Sequence, residues 1–479
     1  MIAPLASTIR QRVAEDLAGH EASSLTGDDR KEFARQRAFL HLDALSDSGD
    51  GGPHAELTHQ EEQRLAQTVL DALFGLGRLQ VLVDDPDIEN IDINGCDRVW
   101  ATFADGSKRL MDPVAESDDE LVELIRSAAG RFGLSERRFD TARPELDLQL
   151  PGGARLSALM AVSARPSVSI RRHRFADLSL DDLCSMGALD SDLRSLLSAA
   201  VRARKNIVVS GAMNSGKTTL LRALAAEIDP RERIVTIEQA FELGLDTGSG
   251  RHPDIVALEA RPANIEGEGR IPVADLVRRS LRMNADRVIV GEVLGDEVLP
   301  MLNAMSQGRS GSMCTIHAES SAGVFRRIAS YAVQAPERLP LEATNLLISG
   351  ALHFVVHLDS EMHDHPAIPA VVTGPASRRT GRRSLFEIDG SDGSDGPDRF
   401  DGREDPLEYF PARGSRARFV SSVREVVDAE GVQVVSNEIY RPGPDRRSVP
   451  ASPLRAETVD ELGRFGFELP RVAWSGSIR

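Results

Sequence analysis

The sequence predicts an α/β fold built on a doubly wound parallel sheet, with a second mixed α/β region ahead of it. Three observations predict this. Ile207, Val208 and Val209 form a short apolar run suited to a buried parallel strand. That run enters Gly211-Ala-Met-Asn-Ser-Gly-Lys-Thr218, a complete phosphate-binding loop. Leu220, Leu221, Leu224, Ala225 and Ile228 then recur at helical spacing until Asp229-Pro230 stops the run.

Taken in order, residues 1–50 are polar, with weak helical periodicity around Ile9 to Leu17 and Phe33 to Leu45. A Gly/Ser/Asp linker ends at Pro53, and Leu65, Val69 and Leu73 then stack at i, i+4 and i+8. We take 1–79 as a helical region with its linker. Residues 80–185 read as mixed α/β. Ile91 and Ile93, then Val99, Ala101 and Phe103, alternate as strands about a turn at Asn94-Gly95. Residues 118–132 look helical, and strands follow at 146–150, 155–161 and 168–172. Residues 186–360 alternate strand and helix through 207–210, 218–228, 233–238, 272–283, 287–291, 296–305, 312–317, 321–333 and 352–358. In the last region, 361–479, the stretch 375–415 is too polar to pack and reads as a flexible insertion. Residues 419–427 and 432–440 suggest a hairpin, with a closing segment near 462–467.

Composition narrows the function classes. The chain of 479 residues is 41% hydrophobic and 27% charged, as in a globular protein of several domains. It holds no run near the ~20 apolar residues of a membrane span and opens on no signal-peptide core, so a cytoplasmic protein is expected. Cys96, Cys184 and Cys314 are far apart, which favours neither disulfides nor a zinc site. A net charge of −17 argues against wrapping nucleic acid. No strong basic amphipathic helix points to direct lipid contact.

The chemistry centres on the loop. Gly211 and Gly216 let backbone N–H groups curl round phosphate oxygens, with Asn214, Ser215 and Thr219 beside them. Lys217 would reach the β- and γ-phosphates of ATP, and Thr218 would ligate Mg²⁺. Phosphoryl transfer needs positioned charge, so carboxylates are expected at the ends of neighbouring strands. Glu238 ends one strand, with Glu242 one turn on. Glu292 follows a second, in the layout of a Walker B segment, and is also a candidate for Mg²⁺. His317 ends a third strand on the same expected edge, where imidazole could report a γ-phosphate. His353 and His357 lack that context and read as structural.

These residues resemble a family. Thr236-Ile-Glu238 with Glu242 looks like its Asp box, and Arg261-Pro-Ala-Asn-Ile-Glu-Gly267 like its RPxNxEG element. Arg282-Met283 with 287–292 looks like its Walker B, and Gly311-Ser312 with Thr315-Ile-His317-Ala318 like its His box. The family is the secretion ATPase superfamily of type II and type IV systems, most similar in its CpaF branch, which drives tight-adherence (Tad) pili. The likeness covers roughly 65–360, with a touch at 423–427.

The resemblance implies a RecA-like core, a PAS-like N-terminal domain and a homo-hexameric ring. It also implies ATP hydrolysis coupled to pilus assembly or export, at the inner face of the cytoplasmic membrane through platform proteins. By position, Glu238 and Glu242 would orient or activate water, Glu292 would serve Mg²⁺ or water, and His317 would sense the γ-phosphate. Arg155 and Arg171 match the N-terminal arginines that reach the nucleotide. Four departures bear on turnover and ring coupling: Leu294 stands where the family usually has arginine, Gln239 where it has aspartate, Pro300 lies early in a helix, and the phosphate loop itself is altered. There Ala212-Met213-Asn214 replaces the common Gly-Thr-Gly. A conjugation-type ATPase and a weakly hydrolysing assembly scaffold are the alternative readings.

Overall fold

The computed structural model describes residues 2–19, 22, 25–47, 58–133, 138–172, 178–246, 250–264, 266–306, 310–363, 409–410 and 415–469. Three helices come first: α1 (Ile2–Ala18), α2 (Gly27–Asp47) and α3 (His59–Phe74). Only α3 carries strong local signals. Thr58 and Glu61 form a capping box at its start, and the Gly75 N–H bonds back to Asp71 at its end. The weaker periodicity of the first two suffices because all three share a core of Ile9, Val13, Ala34, Ala38, Leu65 and Val69.

After α4 (Gln80–Asp84) comes an antiparallel sheet. Its strands are β1 (Ile88–Asn94), β2 (Val99–Phe103), β3 (Lys108–Met111), β4 (Glu145–Gln149), β5 (Arg155–Leu159) and β6 (Ser167–Arg171). Alternate residues of these strands, Ile91, Ile93, Leu146, Leu148, Leu156 and Ile170, bury against α5 (Asp118–Phe132). At the β1–β2 turn, Gly95 takes φ 81°, and an added Cβ would strike the Arg165 guanidinium.

The second sheet follows α6 (Leu180–Ser185) and α7 (Ser191–Arg202). In chain order its elements are β7 (Ile207–Gly211), α8 (Lys217–Ala225), β8 (Ile234–Glu238), β9 (Ile255–Glu259), α9 (Val273–Ser280), β10 (Arg287–Val293), α10 (Val298–Ser306), β11 (Met313–His317), α11 (Gly323–Gln334), α12 (Leu341–Ala351) and β12 (Phe354–His363). Strands β12-β7-β11-β10-β8-β9 lie side by side and parallel, the doubly wound sheet that alternation predicts. Every residue of β7 and β8 is buried, which explains their mainly apolar character. β9 was not among the expected strands. As the edge strand it is half-exposed at all five residues and lacks a clear burial period.

The expected 375–415 insertion lies outside the described residues, with two exceptions. β13 (Tyr409–Phe410) pairs antiparallel with β3, making a seventh strand of the first sheet, and Ser415 opens the next strand. β14 (Ser415–Glu430), β15 (Gln433–Pro442) and β16 (Ser448–Pro450) add antiparallel strands beyond β12, and α13 (Ala456–Gly463) closes the chain's described part. The expected hairpin is therefore β14–β15, longer than the sequence indicates, and it completes the same nine-stranded sheet.

A buried asparagine fixes the base of the parallel sheet. Asn206 accepts from Gly311 N (2.8 Å) and Ser312 N (3.0 Å), and donates to Met305 O (3.0 Å) and Ala351 O (2.5 Å). Among the described residues, no helix is long and apolar enough to cross a membrane.

Candidate functional site

Parallel pairing brings the C-terminal ends of β7, β8, β10 and β11 to one edge. There His317 lies opposite Gly211, and the ends of β8 and β10 stand alongside. This is the edge at which an open α/β sheet presents a crevice for ligand. The phosphate loop leaves β7 here and runs into the N-terminus of α8, whose cap is Gly216 at φ 93°. Gly211 is equally constrained, since a Cβ on it would come within 2.6 Å of the Leu358 carbonyl and 2.4 Å of Ser215 Oγ. Ser215 Oγ is buried with no hydrogen-bond partner among the described residues. A donor left orphaned inside a loop of backbone N–H groups at a helix N-terminus fits an anionic phosphate group.

Lys217 is 7% exposed. Its ammonium donates to Ala212 O at 3.0 Å and lies 3.2 Å from His317 Nδ1. Burial lowers its pKa, opposed by the charges of Glu292 and Glu242 and aided by that of Arg171. On the far side of the imidazole, His317 Nε2 lies 2.5 Å from Glu292 Oε1. Donation from the lysine to Nδ1 places the imidazole proton on Nε2, facing the carboxylate. Lys217, His317 and Glu292 thus form one hydrogen-bonded chain from the start of α8 across β11 to β10.

Thr218 Oγ1 donates to Glu242 Oε1 at 2.9 Å. Glu242 is placed by Glu238, whose Oε1 accepts from the backbone N–H groups of Glu242 (3.0 Å) and Leu243 (2.9 Å). Arg222 adds a bond to the Glu242 carbonyl. Glu238 is 4% exposed, and burial pushes its carboxyl up to about 7 against the pull of those two N–H bonds. Its side chain fills the space beside Gly291, where an added Cβ would sit 2.9 Å from Glu238 Cγ.

The expected carboxylates and histidine therefore converge, although Thr218 meets Glu242 while Glu292 meets His317. A hydroxyl and a carboxylate side by side suit Mg²⁺, which takes few protein oxygens when phosphates supply others. Arg155 and Arg171 are direct cross-strand partners on β5 and β6. Arg171 is near enough for its charge to act on Lys217, whereas Arg155 meets Asp147 at 3.6 Å. His357 Nδ1 lies 2.9 Å from Ser210 Oγ, and His353 Nδ1 accepts from Asn206 N at 3.0 Å. His357 is buried next to the end of β7, and His353 is half-buried at the base of the sheet; burial lowers the pKa of each, that of His353 to about 4.

Sequence reasoning missed Arg418 on β14. Its Nε donates to the Asn214 carbonyl, inside the phosphate loop, at 3.0 Å. The sequence carries no signal for this, because the two residues meet only once β14 docks beside β12.

The family model described as type II/IV secretion system protein matches residues 75–425. A Mycobacterium tuberculosis protein named for conjugal transfer is 34% identical over 325 residues, covering 66% of this chain and 84% of its own length. The type IV secretion system protein VirB11 of Brucella suis is 30% identical over 327 residues, 61% of this chain and 86% of that protein. The crystal structure of the Brucella suis VirB11 ATPase with sulphate is 27% identical, covering 60% of this chain and 92% of its own. Its TM-score of 0.31 is too low for the superposition to carry an argument. The chain belongs to the type II/IV secretion system protein family.

Proposed function

We propose that this secretion ATPase works as a homo-hexameric ring that hydrolyses Mg-ATP to drive a Tad-like pilus or a related export system. It would dock on platform proteins at the inner face of the cytoplasmic membrane, with no direct contact to nucleic acid. The observation that carries hydrolysis is the chain Lys217–His317–Glu292, which ties the phosphate-loop cation to a strand-end carboxylate through one imidazole. Loss or gain of negative charge beside Lys217 would be felt at Glu292 through that bridge.

In this reading, Gly211, Asn214, Ser215, Gly216 and Thr219 shape the phosphate cradle, and Lys217 neutralises the β- and γ-oxygens. Mg²⁺ would be held at Thr218, with Glu242 and Glu292 the available carboxylates, and would supply positive charge to offset that of the phosphates. Glu292 and Glu242 orient the attacking water, and Glu238 holds Glu242 in place. His317 senses the γ-phosphate. Arg155 and Arg171 bring positive charge from the N-terminal sheet, in a chain where Leu294, 51% exposed, brings none.

Phosphate release by purified protein, with and without Mg²⁺, tests the enzyme. Deletion of the gene tests the process, with loss of surface pili expected. The identity to a relative named for conjugal transfer favours a second reading, movement of DNA–protein substrates. A deletion strain that keeps its pili but no longer transfers DNA would select that one.

A further inference from the structure

Expectation placed the helper arginines on the N-terminal sheet, yet one reaches the phosphate loop from β14. β14 runs antiparallel to β12 with Arg418 opposite Ser360, and β12 in turn sets Leu358 opposite Gly211. Arg418 therefore stands past the end of β7, on the edge where the loop leaves the sheet. Its Nε bonds the Asn214 carbonyl at 3.0 Å, and its Cδ would lie 3.3 Å from a Cβ on Gly216. The bond holds the loop at left-handed Asn214, φ 60°, with the arginine stem beside left-handed Gly216, φ 93°. For a residue other than glycine that conformation costs about 1 kcal/mol, so it persists where neighbouring structure holds it. A guanidinium bonded to the Asn214 carbonyl is such a hold.

Charge points the same way. A nucleoside triphosphate brings several negative charges, and Lys217 is the cation of the loop itself. Arg418 puts a second, permanent positive charge against the loop from within the same chain.

We propose that Arg418 is a positioning residue for the nucleotide, clamping the phosphate loop from β14 through Asn214 so that ATP and ADP meet a cradle already shaped for their phosphates. This rests on the nucleotide reading given above. The clamp acts on the loop before chemistry begins, so its loss weakens ground state and transition state alike, raising KM and leaving kcat nearly unchanged. Lysine is a poor substitute, since it cannot donate from a rigid fork while its stem lies against Gly216.

The test uses the full chain as parent, Arg418→Ala, Arg418→Gln and Arg418→Lys. ADP affinity comes from calorimetric titration, and KM and kcat from steady-state phosphate release. We expect Arg418→Ala to weaken ADP binding and raise the KM for ATP about tenfold, with kcat within about threefold of the parent. Arg418→Gln should match it, Arg418→Lys should recover only part of the loss, and the nucleotide-free melting temperature should not move, because Arg418 is exposed. ADP affinity and KM within about twofold of the parent in Arg418→Ala and Arg418→Gln would overturn the clamp. Full recovery in Arg418→Lys would overturn it in favour of charge alone, and a fall in kcat at constant KM in favour of a role in the reaction step. A parent that binds no nucleotide overturns the reading of the whole site, whereas a parent that binds normally beside unaltered variants overturns this inference alone.

Discussion

Glu292 Oε1 lies 2.5 Å from His317 Nε2, at the ends of neighbouring strands β10 and β11. Each strand supplies one partner, and the parallel register makes the contact. Glu292→Gln keeps an amide oxygen to accept the imidazole N–H but removes the negative charge. We expect it to bind Mg-ATP and turn over at least ~10²-fold more slowly, the scale for losing a positioned acid–base or electrostatic group. Loss of nucleotide binding in this variant would instead make Glu292 a structural or metal-holding residue.

Glu238 gives the nucleotide-free protein a pH dependence. Its carboxyl titrates at about 7 in the folded protein against an ordinary 4.5, mainly because it is buried. Between those values the folded form keeps a proton that the unfolded form has released. Stability is therefore greatest below about pH 4.5 for this group and falls as pH rises through about 7, by ~3 kcal/mol at most. Glu238→Gln keeps an acceptor for the Glu242 and Leu243 N–H groups and should remove that slope. Denaturant melts of both proteins between pH 5 and 8 check this. Equal slopes in the two would contradict it.

Asn206 tests the base of the sheet. Asn206→Ala leaves the Gly311 and Ser312 N–H groups and two carbonyls without their buried partner, a loss of at least ~3 kcal/mol. Chemical denaturation measures it. A change below about 1 kcal/mol would mean that the β7–β11 pairing holds without the asparagine.

Arg171 tests the assembly. Arg171→Ala should depress turnover strongly, since a missing arginine at a reacting phosphate typically costs ~10³–10⁵ in rate, while ATP affinity stays within about tenfold. Specific activity of the parent should rise with protein concentration as rings form. A monomer with full activity, or an Arg155→Ala, Arg171→Ala double variant as active as the parent, would rule the arrangement out.

What was legible in the sequence was local. The loop is read directly because strand, glycines, lysine and helix are contiguous between Ile207 and Ala225, and Glu238, Glu292 and His317 each end a mainly apolar run. Which carboxylate meets which partner was not legible. Thr218 pairs with Glu242 and not with Glu292 because the two N–H bonds to Glu238 fold the turn after β8 back toward α8. Arg418 and Asn206 were invisible for the same reason, since each acts across strands far apart in the chain. Edge strand β9 was missed because half-burial on both faces erases the two-residue period.

The central claim is that the loop around Lys217 hydrolyses ATP. Phosphate release measured side by side for the parent and Lys217→Ala is its most direct test. Removing the ammonium leaves the β- and γ-phosphate charge uncompensated in the transition state, so the variant should show no release above background while the parent shows Mg²⁺-dependent turnover. Near-parental turnover in Lys217→Ala would contradict the account.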